Sequence, residues 1–208
     1  QDSLSEGREH VLLTLGTPTN GTLGATVSHQ LAILDDEPAA RISFAQATST
    51  SGEGSGTAAI SLTLSAARTA EARVSFSQTG TATPGGVDVS TSPVSPIIFP
   101  AGATTATLNA LIVPDSLDES NETFIVTLLA PSNGLLGTIA QHSLTITDDD
   151  LPPAVAFASS SSHLVESASG TMVAVTLSSA SSFDVTVPVT ASGTALPGTD
   201  YTWTPGGM

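Results

Sequence analysis

The chain has 208 residues, with 19 Asp and Glu against four Lys and Arg, for a formal net charge of −15. That balance excludes a nucleic-acid partner, whose phosphates would be repelled. The absence of cysteine excludes disulfides, zinc–thiolate sites and cysteine nucleophiles.

Eighteen Gly and 13 Pro with only 4% aromatics favour many short strands and turns over helices, around cores of Val, Ile, Leu and Ala with a few Phe. No run of about 18 consecutive apolar residues is present, so no membrane-spanning helix is expected. No signal peptide is legible, and the pattern at Gln1 is already under way, which reads as a segment of a longer protein.

In chain order, residues 1–37 run from an acidic start (Asp2, Glu6, Glu9) to a second acidic cluster, Asp35, Asp36 and Glu37. Ile42 and Phe44 then open a short strand, and Gly52 to Gly56 is a turn carrying Glu53. Ile60, Leu62 and Leu64 alternate with small polar neighbours, the period of two that marks a half-buried strand. Val74 and Phe76 line the next strand, Gly80 to Asp88 is a Gly/Pro loop, and Pro93 to Phe99 reads as a short edge strand. Ala106, Leu108, Ala110 and Ile112 form one face of a long strand ending at Asp115. Phe124, Val126 and Leu128 line another, and Leu144 and Ile146 the last, which ends in Asp148, Asp149 and Asp150. Seven strands with turn signals between them form the pattern of a β-sandwich.

The chain also repeats itself. Residues 1–37 align without a gap onto 114–150, an offset of 113: Asp2-Ser3-Leu4 falls on Asp115-Ser116-Leu117, Glu6 and Glu9 on Glu119 and Glu122, His29 on His142, and Asp35-Asp36 on Asp148-Asp149. Downstream, Glu53 pairs with Glu166, and Gly80 to Gly85 with Gly193 to Gly198. The expected organisation is the tail of one repeat (1–37), a complete repeat (38–150) and the front of a third (151–208), hence a tandem array.

All but two of the 19 acids, Glu71 and Asp184, fall in the recurring acidic motifs. A solvated face would spread acids among bases, and packed carboxylates repel one another unless a cation sits among them. In the complete repeat the acids are Glu53, Asp88, Asp115, Asp118, Glu119, Glu122, Asp148, Asp149 and Asp150, each in a loop or at a strand end. Ca²⁺ takes six to eight oxygen ligands and suits such a set better than Mg²⁺, which keeps its waters in a rigid octahedron. The four histidines show no close pair with zinc spacing. No Gly-x-Ser-x-Gly nucleophile elbow is present, and the carboxylates lack the aromatic platforms of a sugar site, so no enzyme activity is expected.

Three motifs together resemble the Calx-β domain: Gly193-Thr194-Ala195-Leu196-Pro197-Gly198-Thr199-Asp200 with its partner loop Gly80 to Asp88, the run from Ile112 through Asp115, Glu119 and Glu122 to Phe124, and Ile146 to Asp150. The resemblance covers the whole chain. It implies a seven-stranded immunoglobulin-like Greek-key β-sandwich of a kind found in sodium–calcium exchangers and in bacterial surface and adhesion proteins, often binding Ca²⁺ at the pole where domains join. Carried onto this chain, the ligand positions are Glu53, Asp88, Asp115, Glu119, Glu122, Asp148, Asp149 and Asp150. The further acid that exchanger domains often carry before Asp115 is replaced by Pro114, which implies one or two ions per site; Asp118, replaced by Ser5 in the earlier repeat, is a weaker candidate.

The implied role is a Ca²⁺-binding structural module of an extracellular or cell-surface protein, bacterial by this resemblance, whose ions stiffen domain junctions. Its partners would be neighbouring repeats of the same chain, with homotypic assembly or a surface ligand as further partners. The alternatives are a ligand-binding adhesin domain or an accessory module of a larger secreted enzyme, the acids then being only solvated turns, or a regulatory Ca²⁺ sensor attached to a transporter.

Overall fold

The computed structural model describes residues 4–204; Asp2 and the outermost ends of the first and third sequence segments lie outside the described residues. Fifteen strands follow in order: β1 (Glu9–Thr14), β2 (Ser28–Ile33), β3 (Arg41–Phe44), β4 (Thr48–Gly52), β5 (Thr57–Leu64), β6 (Ala72–Val74), β7 (Phe76–Gly80), β8 (Val89–Ser92), β9 (Ile97–Phe99), β10 (Thr105–Ile112), β11 (Glu122–Leu128), β12 (Leu135–Leu136), β13 (Gln141–Thr147), β14 (Val155–Phe157) and β15 (Val175–Leu177). One 3₁₀ turn, Glu53–Ser55, separates β4 from β5.

The complete repeat predicted over 38–150 contains two main sheets, one five-stranded in the order β12-β3-β5-β10-β8 and one four-stranded in the order β4-β13-β11-β7. Strict alternation fixes which side of each strand turns inward: in β5 Ile60, Leu62 and Leu64 are buried between exposed neighbours, and β13 buries His142, Leu144 and Ile146. Both sheets contribute to one buried cluster, with Phe44, Leu62 and Leu108 from the first and Phe124, Val126 and Leu144 from the second. The result is a β-sandwich closed over an aliphatic core with three fully buried phenylalanines, Phe44, Phe99 and Phe124.

The chain between Arg41 and Thr147 holds eleven strand segments where seven are expected from the sequence. Single stretches are shared between layers. Arg41–Phe44 pairs with β5 in one sheet, and after Ala45–Ala47 the chain crosses to pair Thr48–Gly52 in parallel with β13 in the other. Val74 and Phe76 likewise fall in two segments, β6 and β7, around Ser75. The edge strand predicted over Pro93–Phe99 is confined to Ile97–Phe99, which forms a separate ribbon with β6; the edge of the five-stranded sheet is Val89–Ser92 instead. Pro93 and Pro96 follow cis peptide bonds and lack the amide hydrogen a ladder requires.

His142 is structural, as the sequence suggests. Its Nε2 lies 2.8 Å from Ser49 Oγ and its Nδ1 2.8 Å from the Gln46 carbonyl oxygen, so it ties β4 to β13 from within the core.

The flanking segments are sparser. β1 and β2 form a hairpin exposed along its whole length, with Glu9 opposite Ile33 and Thr14 opposite Ser28. β14 and β15 pair over three residues each.

At Gly80 the backbone adopts φ +130°, and a Cβ built there would strike the Thr123 carbonyl. The loop that follows can therefore approach β11 closely only with glycine at this position. Gly80→Ala should destabilise the fold by more than about 1 kcal/mol, read as a lower urea midpoint with an unchanged slope.

Candidate metal centre

Strand register gathers the acids at one pole. The parallel pairing of β4 and β13 sets Thr147 opposite Gly52, so the chain leaves β13 into Asp148 beside the turn that begins at Glu53. The antiparallel β11–β13 register sets Glu122 opposite Ile146, two residues before Asp148. Where β10 ends, the Ile112 amide donates to the Gly56 carbonyl at 3.0 Å and the Val113 amide to the Asp88 carbonyl at 2.9 Å. Those two bonds draw the 53–56 turn and the 83–88 loop against the segment carrying Asp115 and Glu119. Carboxylates more than 90 residues apart in sequence thereby become neighbours.

Local hydrogen bonds hold several of the acids in place. Glu53, only 7% exposed, accepts the Asp115 amide at 2.7 Å through Oε1. Asp88 Oδ2 accepts the Thr83 amide at 2.6 Å and closes its own loop, while Asp115 Oδ1 accepts the Leu117 amide at 2.7 Å in an Asx turn. Asn121 Oδ1 accepts the Asp148 amide at 3.0 Å. Asn121 is a positioning residue that sequence reasoning missed, because an amide among carboxylates carries no separate signal.

The acids form two adjoining groups. Glu53, Asp88, Asp115, Glu119, Glu122 and Asp148 line a single small cleft. Glu53, Asp149 and Asp150 each offer an oxygen within 4.8 Å of the other two. Glu53 belongs to both groups, so all eight predicted positions meet at this pole. Gly54 permits the second group: a Cβ there would lie 2.8 Å from Asp149 Oδ2. Asp118 does not join them; its carboxylate turns toward Ser181, with Oδ2 accepting the hydroxyl at 2.6 Å.

Two buried carboxylate oxygens, Asp148 Oδ1 and Asp150 Oδ2, have no hydrogen-bond partner. Buried polar atoms without partners are costly. An oxygen-rich cleft without a neutralising side chain, with orphaned carboxylate oxygens at its edge, fits a hard divalent cation. Of the four basic residues, Arg73 pairs with Glu71, Arg41 donates to the Leu136 carbonyl, Arg68 donates to Ser5, and Arg8 is exposed.

Crowding sets the protonation behaviour. Glu53, Glu119 and Glu122 are pushed above the usual carboxylate range, first by burial and then by neighbouring carboxylates. For Glu53 the Asp115 amide partly offsets the rise. Asp150 is also raised, by desolvation and then by Asp148 and Asp149.

Groups whose pKa is higher in the folded than in the unfolded chain stabilise the fold while protonated, and that contribution is lost as pH rises through the folded values. With chelator present, thermal stability should therefore increase as pH is lowered from neutrality toward the ordinary glutamate range, before general acid unfolding sets in. Replacing the raised acids with Gln should flatten this slope, which melting curves from pH 7.5 to 5 would show.

The Calx-beta domain family model matches residues 35–150 and again residues 148–208. No curated protein matches the chain. Among solved structures, the chain is similar to an apo-form Calx CBD1 domain (22% identity, 54% of this chain and 100% of that one, TM-score 0.47). It is also similar to CBD12 from CALX1.2 (26% identity, 58% of this chain and 48% of that one, TM-score 0.47). A third is the calcium binding domain CBD12 of CALX1.1 (24% identity, 62% of this chain and 54% of that one, TM-score 0.47). The chain thus spans about half the length of these last two. Calx-beta domains are non-catalytic calcium-binding modules. Through two successive matches that together run from residue 35 to 208, the chain belongs to the Calx-beta domain family.

Proposed function

We propose that this chain is a Ca²⁺-binding structural segment of an extracellular or cell-surface repeat protein. Its units would be immunoglobulin-like Greek-key sandwiches in tandem, and the ions would stiffen the joints between them. The observation that carries the reading is the convergence of eight carboxylates at one pole, two of them with buried, unpartnered oxygens. The residues that would hold the ions are Glu53, Asp88, Asp115, Glu119, Glu122, Asp148, Asp149 and Asp150. A cation among them supplies positive charge where the fold supplies none and fills the missing coordination of Asp148 and Asp150.

The link to stiffness is covalent. Asp148 to Asp150 leave β13 and continue through Leu151, Pro152 and Pro153 into β14. An ion held jointly by this segment and by Glu53 would fix the direction in which the chain leaves the sandwich, and the two prolines limit the backbone freedom that remains. Asp35-Asp36-Glu37-Pro38 repeats the design at the preceding junction.

A ligand that binds only the folded state at 100 times its dissociation constant adds about 2.7 kcal/mol to stability. Millimolar CaCl₂ should raise the Tm of the chain by several degrees over chelator, and MgCl₂ by less. Glu119→Ala and Gly54→Ala should each weaken Ca²⁺ binding by about tenfold or more, the first by removing a ligand, the second by pushing Asp149 aside. Both should leave the chelator-state Tm within about 2 °C of the parent, since neither touches the core. Equal Tm in CaCl₂ and chelator would reduce the acids to solvated turns.

A further inference from the structure

The two junctions share a contact that the metal centre does not use. At the first, Ser5 forms a parallel bridge with Arg68, its amide donating to the Ala67 carbonyl at 3.2 Å while Arg68 Nη1 donates to Ser5 Oγ at 2.8 Å. At the second, Asp118 forms a parallel bridge with Ser181; the Ser182 amide donates to the Asp118 carbonyl at 2.9 Å and Ser181 Oγ donates to Asp118 Oδ2 at 2.6 Å. Residue 118 is residue 5 shifted by 113, and residue 181 is residue 68 shifted by the same 113. The same two positions therefore meet at both joints: the loop before β1 or β11 of one unit, and the turn after β5 or β15 of the next. Ser5 is 2% exposed and Asp118 8%, so each is sealed in its joint.

The charges are unevenly used. Arg68, one of only four basic residues in the chain, meets a neutral hydroxyl, and its Nε is buried without a hydrogen-bond partner. Asp118 meets the hydroxyls of Ser181 and Ser182. Both charged residues belong to the same unit, 38–150: an arginine on the side facing the preceding repeat and an aspartate on the side facing the following one.

We propose that this pair of positions is the head-to-tail docking contact between successive units of this chain, strongest where an acid at the position of Ser5 and Asp118 meets an arginine at the position of Arg68 and Ser181. Each joint here carries one charged member of that pair and a serine in place of the other. The docking contact uses none of the carboxylates that line the acidic cleft, and it sets which repeats sit comfortably side by side. An acid fits the tail position, since Asp118 already occupies it, and an arginine fits the head position, since Arg68 does. The exchange of a neutral for a charged acceptor strengthens the bond, and partial burial limits screening.

The test uses the full chain in chelator, so that failure of Ca²⁺ binding would leave the result readable. The chain lacks cysteine, so two introduced cysteines, one on the exposed face of β1 and one on that of β5, can carry spin labels across the first joint. Ser5→Asp should raise the docked fraction, narrowing the distance distribution with a gain of about two- to fivefold in the docked-to-undocked ratio, the upper range of a surface ion pair. The gain should shrink in high salt and vanish in an Arg68→Gln background. Ser181→Arg should do the same at the second joint, and only while Asp118 is present. Ser5→Asn controls for hydrogen bonding alone. A gain from Ser5→Asn equal to that from Ser5→Asp, or one that survives Arg68→Gln, would overturn the pairing, as would no gain from Ser5→Asp or from Ser181→Arg in variants whose melting shows them folded.

Discussion

Mutual repulsion among carboxylates is the constraint on which the pole of this sandwich depends. Among the described residues no basic side chain lines the cleft to gather the acids. They are carried there by backbone hydrogen bonds, with Thr147 locked opposite Gly52, Glu122 opposite Ile146, and the Val113 amide on the Asp88 carbonyl. The free energy that places them comes from the core those ladders bury, with Phe124, Leu144 and Leu108 fully enclosed. The pole draws on that stability: burial first, and neighbouring carboxylates after it, push Glu53, Glu119 and Glu122 above the usual carboxylate range.

Much of this was legible in the sequence because period-two alternation and acid placement are local signals. Ile60, Leu62 and Leu64 announce a strand, and acids that cluster only at strand ends announce a shared pole. What escaped was set by partners distant in the chain. Thr48–Gly52 has no apolar side chain to mark it, yet it is a strand because β13 offers a parallel ladder and His142 reaches Ser49 from the core. Val89–Ser92 becomes the sheet edge because β10 is long enough to pair with it beside β5. Pro93 and Pro96 keep the following stretch out of that sheet, although Ile97 and Phe99 are buried as their alternation suggests. Ser5 at the place of Asp118 in the earlier segment marks Asp118 as the weaker candidate, but its partner, Ser181, lies 63 residues away and carries no local signal.

The loop from Asp115 to Glu122 therefore faces two ways. Asp115 and Glu119 line the acidic cleft, and between them Asp118 is buried against Ser181. Glu53 holds the Asp115 amide, and the Asp115 carboxylate holds the Leu117 amide, so a short chain of hydrogen bonds connects the core-side turn to the residue just before Asp118. Repulsion that displaces Asp115 or Glu119 acts on the same few residues that dock the next unit. The acidic cleft and the joint thus share one eight-residue loop.

That economy explains why the two halves of the junction behave differently in the repeat. The cleft acids recur at every matching position that the chain includes: Glu6 for Glu119, Glu9 for Glu122, Asp35 and Asp36 for Asp148 and Asp149. The docking positions instead vary, with serine against arginine at one joint and aspartate against serine at the other. Cleft positions must act together, because removing one carboxylate changes the charge felt by all its neighbours. A docking pair is felt only by the two units it joins, so it can differ from joint to joint while the same two positions form a parallel bridge at both. Under the proposed docking, variation there would tune how firmly one unit holds the next, beside an acidic pole whose carboxylates recur.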